Sequence, residues 1–119
     1  MSDTHLITHE DGITKIKFLI SPSFELAKSI IDEIIENYPY EKRLWDLSDI
    51  KFNFTIGEIQ RIAAYGKLKF TKPNKLAIYV IDDLAFGGMR QFEVYREEQN
   101  KSIPGVFRTE KEAIDWLNL

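Results

Sequence analysis

Leu76-Ala77-Ile78-Tyr79-Val80-Ile81-Asp82-Asp83 is the stretch from which the fold is read. Six apolar or aromatic residues run without a break and are rich in β-branched types, the pattern of a strand covered on both faces. Two aspartates end the run, and Ala85, Gly88, Met89 and Phe92 follow at helical spacing. A buried strand feeding a helix is the repeating unit of an α/β sheet, in which sites lie at the carboxyl ends of the strands.

Upstream, Leu6–Glu10 and Ile13–Ile20 flank Asp11-Gly12, a pair suited to the positive φ angles of a tight hairpin turn. Ser21-Pro22 reads as a hydroxyl cap followed by proline in the first helical turn. Phe24, Ala27, Ile31, Ile34, Ile35 and Tyr38 then recur at helical spacing until Pro39. Arg43–Leu47 reads as a short strand. Thr55 and Glu58 form a capping-box pattern before a helix with Ile56, Ile59, Ile62, Ala63, Gly66 and Phe70 on one face. After the core strand at 76–81 a helix is expected from about Asp83 to Gln99. Val106-Phe107-Arg108 follows Pro104-Gly105 as a short strand, and Thr109-Glu110-Lys111-Glu112 opens a last helix with a second capping box. The order is ββαβαβαβα. An α/β domain results, a five-stranded mixed sheet with an N-terminal hairpin and otherwise parallel strands, backed by four helices.

The 119 residues fit one domain, able to bury roughly 65% of the unfolded surface. A 44% hydrophobic fraction and 13% aromatics fit a folded globule. The net charge of −3 argues against nucleic acid as a partner. No cysteine is present, so disulfide and thiolate chemistry are excluded. The amino terminus lacks a basic and then apolar leader, and no run approaches ~18 apolar residues. A cytoplasmic protein without a transmembrane segment is the expectation.

The element order and Asp46-Leu47-Ser48 before the second helix resemble the STAS domain, the fold of bacterial anti-sigma-factor antagonists. The junction Asp82-Asp83-Leu84-Ala85-Phe86-Gly87 and the ending Val106-Phe107-Arg108-Thr109 with Ala113-Ile114-Asp115-Trp116-Leu117 are similar to the SpoIIAA-like family of small bacterial proteins. That resemblance covers nearly the whole chain and implies a small sheet with helices on one side. It implies no particular reaction. In the phosphorylated antagonists an Asp-Ser-Ser-Gly type sequence carries the acceptor serine. Here Phe54-Thr55-Ile56-Gly57 stands in its place, and the acceptor position is Ile56, which has no hydroxyl. Thr55 or Ser48 would have to serve instead.

Four groups of residues are weighed for chemistry. His5 and His9 lie four apart on a strand, roughly 13 Å at Cα, too far for a shared metal, so no metal or cofactor site is expected. Asp82 and Asp83, with Ser48 and Thr55, form a rim at the strand ends, although aspartate at a helix start is first of all a cap. Phe86, Gly87, Arg90 and Val94 read as an outward patch off the buried stripe, a surface for a protein partner, a second copy or a ligand. Arg61, Lys67, Lys69, Lys72 and Lys75 form a run of five cations without an acid. Removing that +5 from −3 leaves −8 on the remaining residues. An anionic partner could use the run, whereas a solvated face needs none.

No catalytic residue stands out. The expectation is a non-catalytic module binding a protein or a small apolar or anionic ligand. A phospho-switch and a small enzyme or cofactor binder using the same rim remain the alternatives.

Overall fold

The computed structural model describes residues 4–51, 54–97 and 102–119. The elements within them are β1 (His5–Glu10), β2 (Ile13–Phe18), α1 (Phe24–Asn37), β3 (Lys42–Asp46), α2 (Ile56–Lys69), β4 (Asn74–Tyr79), α3 (Asp83–Glu97), β5 (Ser102–Phe107) and α4 (Glu110–Leu117). One five-stranded sheet runs in the order β1-β2-β3-β4-β5, antiparallel between β1 and β2 and parallel elsewhere. The hairpin turns at Asp11 (φ 52°) and Gly12 (φ 79°), the two positive angles the pair was expected to supply. Each later strand lies beside its predecessor, reached through a helix.

Alternation along the strands divides the core into two layers. On one face Ile16, Phe18, Trp45, Leu76, Ile78 and Val80 pack against Ile30, Ile31 and Ile34 of α1, Ile59, Ile62 and Ala63 of α2, and Met89 and Phe92 of α3. On the other, Ile13, Leu44 and Ala77 pack against Ala113 and Leu117 of α4. The four helices therefore do not back one side: three cover one face, and the fourth covers the reverse. Interior strand β4 needs both layers, since Ala77 and Ile78 are each fully buried and point opposite ways.

Several boundaries differ from those expected, and Ile56, expected on the buried face of α2, is 65% exposed in its first turn. The cap of α1 is Ser23, whose Oγ accepts from the Leu26 amide at 3.2 Å, so Ser21-Pro22 precedes the helix instead of opening it. Strand β4 ends at Tyr79, which leaves Ile81 outside it and 55% exposed. Pro104 and Gly105 lie inside β5, opposite Leu76 and Ala77. Proline is tolerated there because β5 is an edge strand. Gly105 lets the two rings close over it, since a Cβ would stand 2.9 Å from Phe107 Cε2 and 3.3 Å from Trp116 Cζ2 and the rings would have to shift. Those two rings, 5.4 Å apart, lock α4 to the sheet. The end expected for α3, Gln99, lies outside the described residues.

Candidate functional site

At the amino ends of the strands, the last turns of α1 and α2 spread apart over the sheet. A hollow of about 490 Å³ opens between them, within the ~300–1,000 Å³ usual for small-ligand sites. Its apolar walls are Ile35 and Pro39 from the α1 exit, and Phe70 and Pro73 from the α2 exit, with the Tyr40 ring beside them. Lys69, Lys72 and Glu41 supply charge, and Asn74 and Thr71 supply neutral polar groups.

The floor beneath is polar and ordered. His9, Thr14 and Arg43 stand in one register row across β1, β2 and β3. Thr14 and Arg43 are fully buried. His9 pairs with Thr14 through Nδ1 and Oγ1 at 2.9 Å, and its ring stacks on Tyr40 at 3.9 Å. Arg43 donates from Nη2 to Asn74 Oδ1 at 2.7 Å and lies 3.5 Å over the Phe70 ring. Asn74 in turn donates from Nδ2 to the Lys72 carbonyl at 2.7 Å. Four lining residues are thus gripped from below: Tyr40 by His9, Phe70 and Asn74 by Arg43, and the Lys72 backbone by Asn74. Guanidinium on aromatic and charge-assisted hydrogen bonding are the stronger polar contacts available to a buried site.

Three groups have pKa values displaced by a neighbouring carboxylate. Lys15 is raised, chiefly by its 2.6 Å hydrogen bond to Glu110, on the α4 side of the sheet. Tyr65 is pushed up to about 12 because its hydroxyl donates to Asp32. Lys111 is raised by Asp115, one turn along α4. The charged residues lining the hollow are Lys69, Lys72 and Glu41.

The residues singled out in the sequence scatter around this centre. Of the five cations, Lys69 and Lys72 line the hollow. Arg61 lies 4.6 Å over the Phe24 ring, and Lys75 reaches the α4 face, 5.2 Å over Trp116. Lys67 is half-buried in the last turn of α2. The outward patch is kept in part: Gly87, Arg90 and Val94 share an exposed stripe of α3, and nothing approaches a Cβ position built on Gly87 within 4 Å. Phe86 is not in it. It packs against the core with Arg108 4.2 Å over its ring, while Leu84, 73% exposed, takes its place.

The rim residues are occupied by local structure. Asp82 caps α3, accepting from the Ala85 amide at 3.0 Å, and Asp83 pairs with Arg108 at 2.6 Å. Ser48 donates its hydroxyl to buried Asp46 at 2.6 Å. Thr55 and Glu58 form the expected reciprocal capping box. Behind the rim lies an apolar void of about 10 Å³ among Trp45, Leu47, Phe54, Ile59 and Met89, the scale of a single water and with no polar lining to hold one.

Arg43 and Tyr40 were missed by sequence reasoning. The signal for Arg43 was its parity: it alternates with Trp45 and Leu47 and so had to point inward with them. Among the described residues no group of histidine, aspartate and glutamate could hold a metal ion, and no helix is long and apolar enough to cross a membrane. No family model, curated protein or solved structure matches the chain.

Proposed function

We propose that the chain is a non-catalytic binding module of the SpoIIAA-like, STAS-related kind, which holds a small ligand in the hollow between the α1 and α2 exits. The observation that carries this reading is the support beneath the walls: Tyr40, Phe70 and Asn74 are each fixed by His9 or Arg43. A site whose side chains are held in place before the ligand arrives loses less ordering entropy on binding. The element order ββαβαβαβα supports the kinship. Thermal-shift screening of small aromatic compounds tests the reading. Hits should stabilise the wild type and fail on Tyr40→Ser; hits that stabilise both proteins equally would overturn it.

A second reading, a protein partner, rests on Leu84 at 73% and Val94 at 57% exposed, flanking the open Gly87 backbone on α3. Leu84→Ser with Val94→Ser should lower the mass in solution or abolish co-purification if that stripe is an interface. An unchanged assembly state and unchanged co-purifying proteins would count against it.

A further inference from the structure

We infer that the ligand of the hollow is a zwitterion carrying a flat ring, with a free aromatic α-amino acid as the class that fits. This rests on the binding-module reading and gives the ligand its chemistry. The ring is called for by Tyr40, which lines the hollow, is 49% exposed and is stacked on His9 with ring centroids 3.9 Å apart. His9 is itself tied to buried Thr14 at 2.9 Å, so Tyr40 is held from behind and offers a ring already in place. A flat partner stacks on such a ring offset or tilted. Ile35 and Pro39 on the α1 side and Pro73 on the α2 side add apolar wall.

The zwitterion is called for by two charges of opposite sign. Glu41 and Lys72 both line the hollow and both are exposed, and neither forms an ion pair with a described residue, each other included. They stand on neighbouring segments. Glu41 leads into β3, its carbonyl accepting from the Lys75 amide at 2.7 Å, and Lys72 lies shortly before that amide in the loop into β4. The carbonyl end of α1, whose last turn has no basic residue, adds roughly half a negative charge on the Glu41 side. The Lys69 ammonium is engaged elsewhere, 5.5 Å over the Tyr65 ring. Arg43 and Lys72 then stand against Glu41 and the carbonyl ends of α1 and α2. With roughly half a charge at each helix end the sum is about zero. A singly charged ligand would pair with one of the two rim groups and be repelled by the other. A zwitterion answers both, its carboxylate at Lys72 and its ammonium at Glu41 and the α1 end. An α-amino acid carries those two groups on one carbon, as two adjoining segments of opposite sign require.

The test is an NMR titration of the ¹⁵N-labelled full chain with phenylalanine and three partial mimics: phenylpropionate lacks the ammonium, phenethylamine the carboxylate, and glycine the ring. Wild type, Glu41→Gln and Lys72→Gln are compared. Phenylalanine should move the amides of Tyr40, Glu41, Thr71, Lys72 and Asn74 and bind tightest of the four. Lys72→Gln should weaken phenylalanine and phenylpropionate about threefold, the scale of one exposed ion pair, and spare phenethylamine. Glu41→Gln should weaken phenylalanine and phenethylamine by about the same factor and spare phenylpropionate. Either singly charged compound binding as tightly as phenylalanine, or a variant that weakens all ring compounds alike, would overturn the zwitterion and leave the hollow standing as a ligand site. Glycine binding as tightly as phenylalanine would overturn the ring. No response of these amides to any ring compound would overturn the binding-module reading as well.

Discussion

Replacing Arg43 by methionine separates what holds the hollow from what holds the fold. The guanidinium is fully buried, donates to Asn74 at 2.7 Å and lies 3.5 Å over Phe70. A hydrogen bond to a charged group contributes about 1.5–3 kcal/mol, and a desolvated cation–π contact about 2. Against these stands the cost of taking the guanidinium out of water, several kcal/mol. The opposing effects nearly cancel, so Arg43→Met should lie within ~2 kcal/mol of the wild type. Asn74→Ala behaves differently, because it leaves the guanidinium buried with one bond fewer. It should cost about 2 kcal/mol in the wild type. In the Arg43→Met background, where nothing charged remains to satisfy, the same change should cost only ~0.5 kcal/mol. Urea unfolding of all four proteins reads this directly. With a slope of about 2 kcal/mol per molar, Asn74→Ala should move the midpoint by ~1 M in the wild type and ~0.25 M in the Arg43→Met background. Equal shifts in both backgrounds would refute the coupling, and with it the idea that Arg43 positions Asn74.

Three other contacts make separate predictions. Tyr65 holds its proton to about pH 12 in the folded chain because its hydroxyl donates to Asp32. An unfolded tyrosine lets go near 10, so between those values the folded state binds more protons and stability falls as pH rises. Tyr65→Phe should flatten that fall, and ultraviolet titration should find one of the five tyrosines ionising late; five ordinary tyrosines would contradict this. Gly105→Ala forces a Cβ against Phe107 and Trp116 and should cost about 1–3 kcal/mol with a change in near-ultraviolet dichroism, whereas an unchanged melting midpoint would show the rings yield freely. Ser23→Ala should cost ~1 kcal/mol as the loss of an α1 cap, and an effect no larger than that of Ser29→Ala, an exposed position within the helix, would argue against that cap.

Much of the sheet was legible because burial and period coincide in this chain. The stretch from Leu76 to Ile78 is buried whichever way its side chains point, and Asp11-Gly12 can hardly do other than turn. The same run also required a helical layer on each side, so the place of α4 was implicit in Leu44, Ala77, Ala113 and Leu117. Phe86 was misplaced because a helical wheel knows nothing of Arg108, which arrives from beyond β5 to cover it. The five cations look like one patch in the sequence, but Arg61 and Lys75 stand at opposite ends of a helix–strand unit and turn to different rings. The hollow was least legible. Tyr40 and Phe70 come from two separate connections, Asn74 opens β4, and only the register of β1, β2 and β3 sets His9, Thr14 and Arg43 side by side under them.

Crystals of the chain soaked in the tightest-binding compound from the thermal-shift screen give the most direct measurement of where a ligand goes. Difference density should lie between Tyr40 and Phe70, with His9 and Arg43 unmoved beneath them. Density at the other end of the sheet, against Ser48, Thr55 and Leu84, or a hollow closed by collapse of Tyr40 away from His9, would contradict the amino-end site.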